Sequence, residues 1–212
     1  MKLARAFFDR DAHIVAQELL GKLMVRETEE GTVKGRIVEV EVYSGTPESM
    51  DYACHAFPMK RTARTEVMFG EPGHAYVYLI YGMYSCLNLV CNHKNVPECV
   101  LIRALEPVEG LDLMRARRRQ EKMSALCSGP GKLCQALSLT RLDNGLDLCG
   151  DKLYVESDEE DEDTQGSVKP GQMRPQVAAS KRINIDYAKN AKDFLWRYTL
   201  KGSKYLSVKE SL

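Results

Sequence analysis

The sequence predicts one domain of mixed helix and strand, built around a sheet laid down early in the chain. Three observations carry that expectation. At 212 residues the chain is long enough to bury one substantial core. Five apolar runs of strand character, at 23–26, 35–43, 75–80, 87–91 and 100–105, all come before residue 106. Helical periodicity precedes, separates and follows them, with no internal repeat.

The first helix is expected over 11–20, where Val15, Ala16, Leu19 and Leu20 form one stripe, Asp11 stands at the start and Gly21 just beyond the end. In the 35–43 strand, Val38, Val40 and Val42 share one face, and Glu41 and Tyr43 must share the other, with Glu39 beside them. The segment 73–84 then places Tyr76, Tyr78, Tyr81 and Tyr84 within nine residues, interrupted by Gly82. Aromatic walls beside an acid suggest a base-binding pocket. A helical pattern beginning after Pro107 carries Arg115, Arg117, Arg118 and Arg119, which read as a solvated face. Ser128 to Leu133 reads as a loop entering a short helix through 135–137, its free amides serving an anion or a plain cap. Residues 156–173 contain the run Asp158 to Asp163 and little apolar material, so a mobile acidic loop is expected rather than a domain boundary. Beyond it, 177–187 and 194–208 regain apolar content, including the only tryptophan, Trp196, and are expected to pack back on the same domain.

Composition narrows the classes. A hydrophobic fraction of 44% and a charged fraction of 28% are ordinary for a globular protein, and no apolar run approaches a membrane span. The first ten residues lack the apolar stretch of a secretory signal, so an intracellular setting is expected: the nucleus if the source is eukaryotic, the cytoplasm if bacterial. Seven cysteines without a Cys-x-x-Cys pair read as reduced core thiols. Cys86, Cys91 and His93 match no common zinc spacing, so no metal is expected. The formal charge is zero, but without the six acids of 158–163, 30 lysines and arginines face 24 acids. A local basic face is therefore open, drawn from Lys60, Arg61 and Arg64, the arginine run, and Lys181 with Arg182; only the first cluster lies near the candidate pocket.

The strings Ala6-Phe7-Phe8-Asp9, Leu19-Leu20-Gly21-Lys22, Glu39-Val40-Glu41-Val42-Tyr43, Arg61-Thr62-Ala63-Arg64, Met68-Phe69, Tyr76 through Tyr84, Leu101 through Pro107 and Ser128 through Leu133 resemble those of the alkyladenine (3-methyladenine) DNA glycosylases. The likeness spans nearly the whole chain. It implies a single-domain α+β fold around a curved antiparallel sheet. It also implies a monofunctional enzyme that flips alkylated purines, of the 3-methyladenine type and with hypoxanthine or ethenoadenine as further candidates, from double-stranded DNA and hydrolyses the N-glycosidic bond. No cofactor is implied, and a monomer is expected.

By the same resemblance Glu41 activates the water and Arg103 helps position it, with the backbone carbonyl of Ile183 as a further water contact. Tyr43, His55 and Tyr78 match the positions that sandwich the base, and Asn88 matches a position near the purine edge, while Leu101 shares the strand face of Arg103 by the period of two and is expected to bind the base with them. His55 stands three residues further from Glu41 than the family pattern has it, across a longer 46–52 connection. Tyr81 matches the wedge left in the duplex, Met83 and Tyr84 match groove contacts, and Lys60, Thr62, Arg64 and Lys132 lie in segments expected to meet phosphates, which position without reading sequence. Glu39 reads as a surface or ion-paired acid, and Tyr76 as core. Two other classes compete: a catalytically silent lesion binder, against which Glu41 and Arg103 argue, and a free-nucleobase enzyme or binder, which has no use for an exposed Tyr81.

Overall fold

The computed structural model describes residues 1–157 and 176–208. Eight strands form one sheet: β1 (Leu23–Thr28), β2 (Gly31–Ser44), β3 (Ala75–Ile80), β4 (Tyr84–Cys91), β5 (Glu98–Glu109), β6 (Leu153–Glu156), β7 (Val177–Ser180) and β8 (Arg197–Leu200). The order is β3-β4-β5-β2-β1-β6, with β8 also on β2 and β7 outside β8, and all pairings are antiparallel. Among the described residues four α-helices accompany the sheet: α1 (Arg5–Phe8), α2 (Ala12–Leu19), α3 (Leu111–Arg118) and α4 (Pro130–Ala136). The fold is α+β, as the resemblance implied.

Helix α2 starts where its cap allows. Asp11 accepts hydrogen bonds from the N–H groups of His13 at 2.8 Å and Ile14 at 3.3 Å, which satisfies two donors of the first turn. The stripe of Val15, Ala16, Leu19 and Leu20 is buried as expected. Helix α4 begins earlier than its sequence pattern suggested, because Pro130 is already preset for a first turn, and Gly131 lies under Tyr84: a Cβ there would sit 3.1 Å from that side chain. The helical pattern after Pro107 begins only at Leu111, because β5 runs on to Glu109. The expected acidic loop falls outside the described residues from 158 onward. Glu156, its first residue, instead pairs with Leu23 at the end of β6.

Strand β2 organises the site. Its first half pairs with β1, and then β8 takes over the same edge opposite Glu39, Val40 and Glu41. The chain's tail therefore does pack back, onto the strand that carries Glu41. Between β2 and β5 the register shifts three times: once between Lys34 and Gly35, which face Glu109 and Pro107, and twice near the site, where Ile37 faces Leu105, Glu39 faces Ala104 and Val40 faces Ile102, which leaves Val38 and Arg103 as extra residues. Such bulges bend and twist the sheet and re-aim the side chains they carry.

Both faces of β2 are covered. Val40 and Val42 join Ala75, Val77, Leu87, Leu89, Val100 and Ile102 in the main core, against α2 and α4. On the opposite face, register aligns Tyr76, Asn88, Leu101, Glu41 and Arg197 in one row across five strands. Next to it a smaller core of Cys54, Ala56, Met68, Phe69, Tyr76, Val90 and Cys99 packs beneath the loop that leaves β2. Tyr76 is core, as read.

That loop is pinned at Gly45, where a Cβ would lie 2.7 Å from the Ala56 Cβ and 2.9 Å from the Ala56 carbonyl carbon and oxygen. Gly45→Ala must push the 45–56 loop away from the sheet, and is expected to destabilise the protein by about 1–3 kcal/mol. Chemical denaturation of the variant checks this; an unchanged midpoint would show that the loop is not clamped there.

Candidate active site

Glu41 is wholly buried, and its carboxylate meets three donors. Oε1 accepts from the Ile183 N–H at 2.7 Å, and Oε2 accepts from the Tyr43 hydroxyl at 2.7 Å and from Arg103 Nη1 at 3.2 Å. Strand alternation alone puts Tyr43 within reach, whereas Ile183 arrives from the chain entering β8 and Arg103 from the bulge on β5. Ile183 meets Glu41 through its N–H.

A cavity of about 750 Å³ opens over this row. Tyr43, His55, Tyr78, Asn88, Leu101, Arg103 and Ile183 all line it, with Arg64, Tyr81, Tyr84 and Lys132 toward the same space. Asn88 is held by its amide donating to the Tyr76 carbonyl at 3.1 Å, while its oxygen faces the Cys99 thiol at 3.7 Å. His55 stands edge-on to Tyr78, ring centres 4.8 Å apart at 86°. Its Nε2 meets Arg64 Nη2 at 3.1 Å, and its Nδ1 meets the Tyr76 hydroxyl at 2.9 Å. A guanidinium can only donate, so Nε2 is the bare nitrogen and Nδ1–H donates to Tyr76. The extra residues of 46–52 fold into a 3-10 turn, Pro47–Ser49, followed by Met50 in the left-handed region, and His55 still reaches the cavity.

Strands β3 and β4 form a hairpin whose tip is Tyr81-Gly82-Met83. Tyr81 at φ 53° and Gly82 at φ 69° are both left-handed, which turns the chain in three residues and leaves Tyr81 79% and Met83 71% exposed. Tyr84, half exposed, begins β4 against α4. An aromatic ring thus projects at the cavity mouth instead of packing. Lys60, Thr62, Arg64 and Lys132 are all exposed, but only Arg64 and Lys132 line the cavity. The Thr62 hydroxyl is engaged with Thr65 at 3.1 Å.

A model of the methylpurine-DNA glycosylases matches residues 6–204. Proteins named "Putative 3-methyladenine DNA glycosylase" are similar along almost the whole chain: that of Desulfitobacterium hafniense is 45% identical, with 98% of this chain and 99% of its own covered. The one from Clostridium acetobutylicum is 43% identical over 98% of each chain, and that of Clostridium novyi 44% identical over 98% and 99%. This chain belongs to the methylpurine-DNA glycosylase family. It is therefore a DNA glycosylase, a hydrolase of N-glycosyl bonds whose substrate is DNA.

The glycosylase surrounds Glu41 with a charge network that the sequence concealed. Glu39, also fully buried, accepts from Arg103 Nε at 3.1 Å, Arg197 Nε at 2.7 Å, the Ser207 hydroxyl at 2.7 Å and the Ser207 N–H at 2.6 Å. The ion-paired alternative for Glu39 is the one realised, and Arg103 ties it to Glu41. Period-2 alternation was the available signal for Glu39; Arg197 and Ser207, more than 150 residues away, had none. The basic faces also resolve differently from the expectation. Arg182 is buried against Asp51, and Lys181 pairs with Asp193 at 2.6 Å. Three arginines of the run are engaged rather than solvated: Arg115 meets Asp112 at 2.8 Å, Arg117 meets Glu30 at 2.6 Å, and Arg118 donates to the Leu126 carbonyl at 3.0 Å while reaching the cavity wall, whereas Arg119 is exposed, as read. All seven cysteines are free thiols, and six are buried. Among the described residues no three His, Cys, Asp or Glu side chains gather to hold a metal, and no helix is long and apolar enough to cross a membrane.

Burial pushes the Glu39 pKa up, but Arg103, Ser207 and Arg197 outweigh it and hold the carboxyl below its usual 4.5. A carboxylate with a depressed folded pKa contributes stability above its unfolded value that is lost as pH falls through the folded one. Glu39→Gln is expected to cost about 3–5 kcal/mol at neutral pH, since it leaves two buried arginines short of a partner. It should also flatten the loss of stability below pH 4.5. Denaturation from pH 7 downward measures both; a variant as stable as the parent, with the same acid limb, refutes this account.

Burial, reinforced by Arg64, lowers the His55 pKa from 6.5 to about 4, so the imidazole is neutral at physiological pH. Its NMR titration midpoint is expected near 4 and should rise in Arg64→Ala. A midpoint at 6.5 in the parent would contradict the burial of the ring, and an unchanged midpoint in Arg64→Ala would contradict the Arg64 contribution.

Proposed function

We propose that this glycosylase removes alkylated purines of the 3-methyladenine type from duplex DNA by turning the damaged nucleotide into the cavity, where Glu41 activates water for attack on the sugar. The observation that carries this reading is the coordination of Glu41. An ionised carboxylate has about four acceptor sites, and three are taken by the Ile183 N–H, the Tyr43 hydroxyl and Arg103. One remains for a water, at a carboxylate that is fixed in orientation and lies behind the cavity-lining Tyr43, Arg103 and Ile183, itself not part of the wall.

The rest of the site supports the same chemistry. Extruding a base costs a few kcal/mol, least for a lesion with weakened pairing. Stacking offsets that at roughly 1–3 kcal/mol per base; because His55 and Tyr78 stand at 86° to each other, a base that stacks on one of them meets the other edge-on, with Tyr43 as the further aromatic contact. Tyr81, exposed on its hairpin, fills the gap in the duplex, with Met83 and Tyr84 in the groove, and Arg64, Lys132, Lys60 and Thr62 along the backbone. Asn88 and Leu101 meet the purine edge. The negative charge of Glu41 also favours an oxocarbenium-like sugar as the base departs. A cationic alkylated purine leaves without further help, whereas neutral hypoxanthine or ethenoadenine requires a proton. With a carboxylate and not a lysine at the reacting position, the product is an abasic site with the strand intact. The names of the relatives point to the same substrate class.

Single-turnover release from duplex DNA carrying one alkylated adenine tests this. Glu41→Gln is expected to slow release by at least about 10²-fold while lesion binding persists. Equal release by parent and variant would remove Glu41 from the role, and binding without release by the parent would overturn the reading.

A further inference from the structure

Behind Tyr43 lies a second buried ion pair. The Arg182 and Asp51 side chains are both fully buried and bidentate, with Nη2 to Oδ1 at 2.6 Å and Nη1 to Oδ2 at 2.8 Å. Nη1 also donates to the Val42 carbonyl at 2.8 Å, and the Arg182 Nε has no partner among the described residues. The guanidinium lies over the Tyr43 ring, 4.6 Å from its centre, and over Trp196 at 5.1 Å. Tyr43 lines the cavity and Arg182 does not, so the charge sits on the far side of the ring from the space a base would occupy.

The pair also holds the parts of the site together. Ile183, the neighbour of Arg182, presents its N–H to Glu41. Asp51 accepts from the Ser44 N–H at 3.2 Å and the Ala53 N–H at 3.1 Å, which fixes the loop that carries His55.

We infer that Asp51 and Arg182 are positioning residues for Tyr43 and Ile183, and that Asp51 neutralises Arg182 so that the Tyr43 ring accepts a cationic base on its open face. This rests on the base-pocket reading above. A ring stacked on Tyr43 lies about 3.5–4 Å from it, hence roughly 8 Å from the guanidinium. Across so short a path through protein, an uncompensated positive charge repels a cationic base strongly enough to cost about tenfold or more in affinity. A neutral base feels little of it. Paired with Asp51, the guanidinium presents almost no net charge to either.

The sign of the effect separates this role from plain structural support. Binding is measured with duplexes carrying a 2′-fluoro nucleotide, which resists cleavage, bearing either cationic 7-methylguanine or neutral ethenoadenine, with undamaged duplex as reference. Asp51→Asn, which leaves Arg182 charged, is expected to weaken the cationic lesion at least about tenfold more than the neutral one and the reference. Arg182→Gln, which leaves Asp51 charged, should shift the ratio the other way. The double variant should bring it back toward the parent value. Thermal melting identifies folded variants, and should Asp51→Asn not fold, the opposite shift in Arg182→Gln decides. Equal losses for both lesions, or a double variant that keeps the bias of either single one, overturn the proposal. If the parent binds neither lesion better than undamaged duplex, the base-pocket reading itself fails.

Discussion

Three carboxylates, Glu39, Glu41 and Asp51, are completely buried around one end of the sheet, and three arginines, Arg103, Arg197 and Arg182, are buried with them. An unpaired ion there would cost several kcal/mol, and the attraction of its partner compensates only when geometry and hydrogen bonding are complete. That requirement shapes the surrounding chain. It brings β8 onto β2 with Arg197, sets Arg103 on a bulge where it reaches two acids, draws Ser207 to Glu39, and lays the 45–56 loop over Arg182.

For the catalytic role proposed for Glu41 the consequence is orientation. Glu41 sits in the middle of a row of strand residues, its backbone held by β5 on one side and β8 on the other. Its carboxylate is fixed by donors from three separate stretches of chain. A group that must direct a water at one atom gains from such rigidity, because little reorganisation remains to be done in the transition state. On the proposed reading, contact with DNA falls instead to a hairpin tip and exposed basic side chains outside that network. The aromatic residues divide in the same way: Tyr76 in the core, Tyr43 and Tyr78 in the wall, Tyr81 in the open.

Much of the fold was legible because its signals are local. The cap at Asp11, the stripe of α2 and the alternation in β2 and β3 each depend on neighbours within a few residues. Strands β6, β7 and β8 were missed as strands because four residues hold too little pattern to separate from loop. Pro107 concealed the far end of β5, since a bulged stretch with no β4 beside it tolerates a residue without an N–H. Lys181 and Arg182 looked like one basic cluster because sequence does not report that one of two adjacent side chains points inward.

By itself the sequence determined the family, the run that puts Glu41 and Tyr43 on one face, and the tyrosine-rich hairpin broken at Gly82, because a strand's period of two and a glycine turn are properties of adjacent residues. Only the tertiary structure decided which donors hold Glu41, that Glu39 is its buried, doubly paired neighbour, that His55 is neutral, and that Arg182 stands behind Tyr43 rather than on a DNA-facing surface. Those outcomes depend on burial and on partners up to 168 residues apart, as Ser207 is from Glu39. Packing of the loops and tail onto the sheet creates both conditions at once.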